Sequence, residues 1–246
     1  MRETSTTKPL DGKVAVITGA GRGIGRAIAC AYAQAGAAVV CSARKEDELR
    51  ETLALIAQAG GRASMFAADV VEHAQMLALF EHAAASFGGV DIVLANAGTA
   101  GESRKLHKSD PALWRETIEV NLLGAYNTLH ACVPHLRARG AGKIIVTGSG
   151  ARHRAAPGLS AYGSSKIALW MLTQVLAVEL QEFNISVNEL IPGPVKTAMT
   201  CFGEQVFPSE EWVKEPQDVV SLALFLATQP DRGPTAQSYS LMRRAP

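Results

Sequence analysis

Short apolar runs alternate with longer segments of helical periodicity along the whole chain. Five runs are apolar at nearly every position, and a weaker sixth follows the same pattern: Val14–Ile17, Val39–Cys41, Ile92–Leu94, Ile144–Val146, Ile185–Leu190 and the weaker Ala63–Ala67. Such runs are typical of strands buried on both faces of a parallel sheet. The segments between them carry apolar residues at helical spacing: Gly25–Ala35, Glu46–Ala59, His73–Ser86, Ala112–Arg137 and Ala161–Phe183.

This alternation predicts the fold class, because repeated β-α-β units build a parallel sheet covered by helices on both faces. We expect a Rossmann-type, doubly wound α/β fold with about seven strands in a three-layer α/β/α arrangement. A last strand is plausible at Ser238–Met242. Connections are short and no repeat or linker interrupts the pattern. Residues 1–246 are therefore predicted to form a single domain, with residues 1–10 as a flexible tail.

Composition and charge exclude several classes of function. The net charge is +1 without a basic stripe, so nucleic acid binding is not expected. The most apolar segment, Ile167–Leu180, is interrupted by polar residues and is too short to span a bilayer, and the polar first ten residues do not predict a secretory signal. Without metal-ligand spacing, the cysteines predict reduced thiols in a cytoplasmic protein and no metal site. They are scattered along the chain at Cys30, Cys41, Cys132 and Cys201.

A glycine-rich turn, Thr18-Gly19-Ala20-Gly21-Arg22-Gly23-Ile24-Gly25, follows the first predicted strand. Glycines permit a tight turn, and the N–H groups of the next helix can face a phosphate. The common GxGxxG fingerprint does not fit, because Ile24 takes the place of its third glycine; the spacing is TGxxxGxG. A plain strand–helix turn would also explain the glycines, but their place in a β-α-β chain favours phosphate binding.

Tyr162 and Lys166 lie four residues apart, so a helix would present both on one face. A phenol has a pKa near ~10. A nearby ammonium is expected to lower it, so that the pair can exchange a proton with an alcohol or a carbonyl oxygen. Ser149 follows the fifth strand thirteen residues earlier and can donate to an oxygen that gains charge. Asn121 stands inside a helical pattern that mildly disfavours it. Each has a plain structural explanation alone; together they indicate chemistry.

These motifs resemble the short-chain dehydrogenase/reductase family, in particular its members that reduce 3-oxoacyl carrier proteins, over about residues 11–228. The resemblance implies that hydride moves between a nicotinamide cofactor and a carbonyl or secondary alcohol. It assigns catalytic roles to Asn121, Ser149, Tyr162 and Lys166. Ser149 would steady the substrate oxygen and Tyr162 would protonate it. Lys166 would bind the nicotinamide ribose and tune Tyr162, and Asn121 would hold a water that resupplies the proton.

The resemblance also implies a cofactor site at the carboxyl ends of the strands. Asp69 would contact the adenine, although with Glu72 it also fits a helix capping box. The stretch from Pro192 to Thr197 would face the nicotinamide carboxamide. The implied cofactor-binding residues are Gly19, Arg22, Gly23, Ile24, Gly25, Arg44, Asp69, Val70, Asn96, Gly98, Tyr162, Lys166, Pro192, Gly193, Val195 and Thr197.

The end of the second strand is expected to prefer NADP(H) over NAD(H). Ala43 stands at the position where an NAD-binding relative has a carboxylate, and Arg44 follows it. Arg22 is a second cation on the same side, and a guanidinium can bind a phosphate with two hydrogen bonds. The alternative is that Arg44 and Lys45 are solvated residues at the start of a helix.

The substrate stays open. The leading hypothesis is an NADP(H)-dependent reductase of 3-oxoacyl compounds or other ketones. The alternatives are an NAD(P)-dependent sugar or polyol dehydrogenase and a non-catalytic, nucleotide-binding regulator. Arg152, His153 and Arg154 would suit an anionic substrate if they faced the pocket, but charges in loops are more often solvated. Glu189, a charge in an apolar strand, either meets a cation or faces the pocket.

Two further expectations concern surfaces. The irregular region 192–216 is a candidate lid with exposed aromatics at Phe202, Phe207 and Trp212. The resemblance implies a homo-oligomer, a dimer or homotetramer built on the helices Ala112–Arg137 and Ala161–Phe183, and no membrane partner. The chain ends differently from relatives that close with Asp-Gly-Gly, which puts the contact made by that terminus in doubt.

Overall fold

Seven parallel strands form one sheet in the computed structural model, which describes residues 8–200 and 212–242. Their bounds are β1 Val14–Thr18, β2 Ala38–Ala43, β3 Arg62–Ala67, β4 Ile92–Ala95, β5 Gly142–Thr147, β6 Ile185–Ile191 and β7 Ser238–Ser240. The strand order is β3-β2-β1-β4-β5-β6-β7. The order reverses beside β1, so a crevice opens between β1 and β4 at their carboxyl ends, where α/β sheets bind ligands. The predicted fold class is confirmed.

Within these described ranges, seven α-helices cover the two faces of the sheet. Their bounds are α1 Gly23–Gln34, α2 Glu46–Gln58, α3 His73–Phe87, α4 Pro111–Ile118, α5 Gly124–Arg139, α6 Ser160–Glu179 and α7 Val220–Ala227. One core lies between the sheet and α1, α2 and α7, and the other lies under α3, α5 and α6. Alternate residues of a strand serve the two cores: Ile17 packs into the first and Val16 into the second. Both faces of the central strands are therefore apolar, which explains their continuous hydrophobic runs.

The helix predicted over Ala112–Arg137 is interrupted. A π-helical turn, Glu119–Leu123, separates α4 from α5 and carries the buried Asn121. Short π-turns inside helices are frequent at functional sites. The spacing of apolar residues does not predict such a turn, because one extra residue only shifts the apolar face of the helix.

Two local expectations were wrong. Helix α3 begins at His73, so Asp69 does not cap it; the Asp69 carboxylate instead accepts from the N–H of Val71 at 3.1 Å. Strand β7 ends at Ser240 rather than Met242. Cys201, Phe202 and Phe207 lie outside the described residues.

A cluster of charged residues holds the amino ends of the strands. The buried Asp91 accepts from the N–H of Val14 at 2.9 Å and pairs with Arg139 at the end of α5. This cluster lies at the opposite end of the strands from the residues discussed below. Within the described ranges, no helix is long and apolar enough to cross a membrane.

Candidate active site

The glycine turn forms the floor of a cleft at the carboxyl ends of β1, β2 and β4. The cleft has a volume of about 220 Å³. A side chain at Gly25 would overlap the carbonyl oxygen of Gly19, and Gly19 itself has a φ of +68°, which favours glycine. Helix α1 begins at Gly23 and has no acidic residue in its first turn. The N–H groups of its first turn therefore meet no carboxylate from their own helix, which favours a phosphate there.

Hydrogen bonds around Asn96 join three strands below this cleft. The Thr18 hydroxyl accepts from the N–H groups of Asn96 and Ala97 at 3.1 and 3.2 Å. The Asn96 amide donates to the carbonyl of Thr18 at 3.1 Å, and the Thr147 hydroxyl donates to Asn96 at 3.3 Å. Thr18 and Thr147 were not among the predicted site residues, because a threonine at a strand end carries no motif of its own.

The outer end of the cleft fits a nucleotide. The Ser42 hydroxyl is buried there and has no hydrogen-bond partner among the described residues. Arg22 lies 3.8 Å from Glu48 and Arg44 lies 3.9 Å from Asp69, and both guanidiniums are more than half exposed. Such exposed ion pairs are weak. The two arginines can therefore turn toward a bound phosphate, while Ser42 offers an unused polar group.

Tyr162 and Lys166 line a smaller cavity that continues the cleft, and Ser149 directly follows Gly148, another residue of its lining. Ser149 is hydrogen-bonded to the hydroxyl of Tyr162 and accepts from the N–H of Ala151 at 3.1 Å. The buried Lys166 donates to the carbonyl of Thr147 at 2.9 Å and lies 5.8 Å from the centre of the Tyr162 ring. The fold thus brings the three predicted catalytic side chains together from β5 and α6.

Asn121 connects the loop after β4 to α6. Its amide accepts from the N–H of Thr99 at 2.7 Å and donates to the Thr99 carbonyl at 2.9 Å. It also donates to Ser165 at 3.2 Å, and Ser165 donates to the carbonyl of Tyr162 at 2.7 Å. Thr99 and Ser165 were missed by sequence reasoning. The side chain of Asn121 therefore braces the segment that carries Tyr162.

Burial is the largest influence on the pKa values of Lys166 and Tyr162. It lowers the pKa of Lys166 to about 8, and Glu189 acts in the opposite direction. Burial raises the pKa of Tyr162, and the hydrogen bond from Ser149 only partly opposes it. The pKa of Tyr162 is thus raised rather than lowered, because burial is the largest influence on it; Lys166 lies 5.8 Å from the centre of the Tyr162 ring.

The segment after β6 closes the smaller cavity. Pro192, Gly193, Val195 and Thr197 line it together with Tyr162 and Lys166. Thr200 holds this segment in place, because its hydroxyl accepts from the N–H of Thr197 at 3.0 Å and donates to the Val195 carbonyl. All sixteen residues of the implied cofactor set line at least one of these two cavities. Four of the sixteen line both: Ile24, Asn96, Gly98 and Thr197.

The three basic residues after Ser149 do not share one environment. Arg152 is buried and pairs with Glu189 at 3.1 Å, so the expectation of a solvated loop charge is wrong for Arg152. His153 and Arg154 are exposed, and all three basic residues line a groove of about 570 Å³ beside α6, together with Lys105. Of the two alternatives for Glu189, the structure favours a cation partner. No group of three metal-ligating side chains occurs in the part of the chain that the structure describes.

Comparisons with known proteins identify the family of this chain. The family model described as short chain dehydrogenase matches residues 13–205. The chain belongs to the short-chain dehydrogenase/reductase family. The 7alpha-hydroxysteroid dehydrogenase of Escherichia coli strain K12 is 34% identical over 227 residues, which are 89% of this chain and 88% of that protein.

Solved structures of this family share the fold closely. The carveol dehydrogenase from Mycobacterium avium, determined in complex with NAD, superimposes with a TM-score of 0.88 at 29% identity over 96% of this chain and 98% of that one. A 3-ketoacyl-ACP reductase from Sinorhizobium meliloti 1021 has a TM-score of 0.84 at 36% identity over 93% and 96% of the two chains. The chain is therefore an oxidoreductase of a family that uses a nicotinamide cofactor and acts on alcohol or ketone groups.

Replacing Gly25 tests the fit of the cleft to the dinucleotide. Gly25→Ala should weaken dinucleotide binding by about 10-fold or more, because the methyl group displaces the Gly19 carbonyl and distorts the phosphate turn. Binding is measured by titration of cofactor fluorescence. Gly60→Ala is the control: its φ of +71° makes an alanine strained there too, but nothing lies within 4 Å of the added methyl group and the residue is not part of the cleft. Equal affinities of the two variants would contradict a phosphate site at this turn.

Proposed function

We propose that this chain is an NADP(H)-dependent reductase that converts a ketone, of the 3-oxoacyl or another type, into a secondary alcohol. The observation that carries the proposal is the hydrogen bond between Ser149 and Tyr162, with Tyr162 and Lys166 in one cavity whose lining overlaps that of the dinucleotide cleft. The 36% identity to a 3-ketoacyl-ACP reductase supports the ketone class. We further propose that residues 1–246 act as one NAD(P)-binding domain.

In this proposal each side chain has a separate task. The bound nicotinamide supplies or accepts the hydride. Ser149 donates a hydrogen bond to the substrate oxygen as it gains charge. Tyr162 transfers its phenolic proton to that oxygen in reduction and takes it back in oxidation, and the positive charge of Lys166 stabilises the phenolate. Asn121 keeps the segment around Tyr162 in place and supports the path by which the proton is restored.

The preference for NADP(H) rests on the charges at the end of β2. No carboxylate follows the strand; Ala43 and Arg44 stand there, and Arg22 reaches the same end from the glycine turn. Glu48 acts against the preference, because it lines the cleft near Arg22 and Lys45. The two guanidiniums and the Lys45 ammonium still outnumber Glu48 and Asp69, the two carboxylates that pair with them in the cleft.

Removing the phenolic hydroxyl tests the chemical centre. Tyr162→Phe should lower kcat by about 10³-fold, within the range of lost general acid catalysis, while the Kd for NADPH stays within about 3-fold. Turnover is followed by NADPH absorbance against a panel of ketones and alcohols in both directions, and Kd by fluorescence. Tyr126→Phe, an exposed tyrosine on α5, is the control and should keep full activity. Undiminished turnover in the Tyr162 variant would refute the assignment.

Arg44 provides the test of cofactor preference. Arg44→Ala should raise KM for NADPH by about 10-fold through the loss of a charge-assisted phosphate contact, and leave KM for NADH unchanged. Arg50→Ala, an exposed arginine on α2 that pairs with Glu46, should change neither. Steady-state kinetics with both cofactors measures the ratio. A wild-type enzyme that favours NADH would overturn the preference.

We also propose a homo-oligomer built on α5 and α6, with a second copy of this chain as the partner. Four apolar side chains of α6 stand exposed at helical spacing: Ile167, Met171, Val175 and Val178. Such a contiguous apolar stripe is unusual on a free surface. Leu123 and Tyr126 expose further apolar area on the adjoining turn and helix.

Charges placed in this stripe should separate the copies. The double variant Met171→Asp, Val175→Asp should sediment as a monomer under conditions in which the wild-type protein is a dimer or tetramer, because two carboxylates would be buried without partners. Leu77→Asp, an equally exposed leucine on α3, is the control and should keep the wild-type state. A wild-type protein that sediments as a monomer would contradict the proposal.

A further inference from the structure

A buried carboxylate lies directly behind the turn that carries Ser149. Glu189, on β6, is completely buried. A side chain at Gly148 would overlap its carboxylate group, so Glu189 occupies the space beneath the residue that precedes Ser149. The main chain of the turn therefore rests on this charged group.

Arg152 pairs with this carboxylate from the same turn. Its Nη2 lies 3.1 Å from Glu189 Oε2 and 3.0 Å from Ser238 Oγ, and Ser238 donates to the same Oε2 at 2.6 Å. The guanidinium also lies over the ring of Trp170 on α6, 5.0 Å from its centre. One ion pair thus joins the Ser149 turn to β6, β7 and α6.

The pair is only partly satisfied. Among the described residues, Arg152 Nε and Nη1 and Glu189 Oε1 have no hydrogen-bond partner. A buried ion pair stabilises a fold little or not at all compared with apolar side chains of similar volume, and less so when donors stay unpaired. The pair therefore calls for a reason other than stability.

The ion pair lies close to the catalytic group, and the Glu189 carboxylate raises the pKa of Lys166. Lys166 donates to the carbonyl of Thr147, the residue next to Gly148, and Glu189 raises the pKa of Lys166 against the effect of burial. The groups that face Glu189 are Arg152 and His153 from the turn, Lys166 from α6 and the neutral hydroxyl of Ser238 from β7. Burial raises the pKa of Glu189 itself, and all four of these groups oppose that effect.

We propose that Glu189 and Arg152 are positioning residues for the reaction: their ion pair fixes the turn that bears Ser149 and places a negative charge behind the Thr147–Gly148 main chain, to which Lys166 donates. The inference rests on the proposed function for its kinetic consequences. The charge of Glu189 keeps Lys166 protonated, and Arg152 keeps Glu189 ionised. The two residues act together, through groups that touch the substrate and cofactor.

The isosteric variant Glu189→Gln isolates the charge. Loss of a carboxylate that stabilises an ammonium lowers the pKa of that ammonium, so the alkaline limb of kcat for ketone reduction should move to lower pH by about one unit. At neutral pH, kcat should fall by about 10-fold through the loosened Ser149 turn, while the Kd for NADPH changes by less than about 3-fold. The pKa of Lys166 is also read directly by NMR of lysine labelled with ¹³C at Cε, its signal identified as the one lost in Lys166→Met.

A second variant separates the electrostatic role from a structural one. Glu189→Gln alone leaves Arg152 buried without its counterion and should lower the urea midpoint of unfolding. The double variant Glu189→Gln, Arg152→Met replaces the pair by uncharged side chains and should recover the midpoint. Its alkaline limb should nevertheless stay shifted, because the carboxylate is still absent. If the role of Glu189 is purely structural, the double variant should recover both the urea midpoint and the wild-type pH dependence of kcat on the alkaline side. That result would overturn the electrostatic part of the proposal.

Asp91→Asn is the matched control, since it neutralises another buried and paired carboxylate at the opposite end of the sheet. It should lower the urea midpoint and leave the alkaline limb in place. If both the limb and the NMR-derived pKa of Lys166 are the same in Glu189→Gln as in the wild type, the inference is wrong. If the wild-type protein reduces no ketone with either cofactor, the proposed function fails instead, and the NMR titration alone decides whether Glu189 acts on Lys166.

Discussion

The common alignment of parallel strand ends is the constraint on which this site depends. In a parallel sheet every strand delivers its last residue to the same edge, and the reversal of strand order beside β1 leaves that edge open. Asn96 and the hydroxyls of Thr18 and Thr147 hold the ends of β1, β4 and β5 in register. The phosphate turn after β1 and the Ser149 turn after β5 can then share one cavity system, although 130 residues separate Gly19 from Ser149.

Desolvation determines the direction in which the pKa values of Lys166 and Tyr162 move. The cavity withdraws Lys166 from water, and within residues 8–200 and 212–242 its hydrogen-bond acceptor is the carbonyl of Thr147 at 2.9 Å, so its proton is held less tightly than in solution. The same burial raises the pKa of Tyr162, which keeps the phenol protonated as a donor for reduction. The charges that matter to the reaction are therefore balanced by groups behind the main chain. Glu189 is such a group, and it is itself balanced by Arg152.

The charged residues at the outer end of the cleft are exposed, unlike those around Tyr162. Arg22 and Arg44 are exposed and paired only weakly with Glu48 and Asp69, so a phosphate can compete for them at small cost. The chemical end is rigid and buried, whereas the phosphate end is open and adjustable. This division suits a site in which the dinucleotide must enter and leave while the geometry around Tyr162 persists.

Local rules in the sequence determined most of the fold. Runs such as Val14–Ile17 could only be strands covered on both sides, and the motifs around Tyr162 indicated the family, because these signals depend on residues close together in the chain. The tertiary structure decided what neighbours in sequence cannot show. The π-turn at Asn121, the orphan hydroxyl of Ser42 and the pairing of Arg152 with Glu189 all arise between distant elements. A charged residue in an apolar strand has two readings in sequence, and only the position of its counterion, 37 residues away, selects one of them.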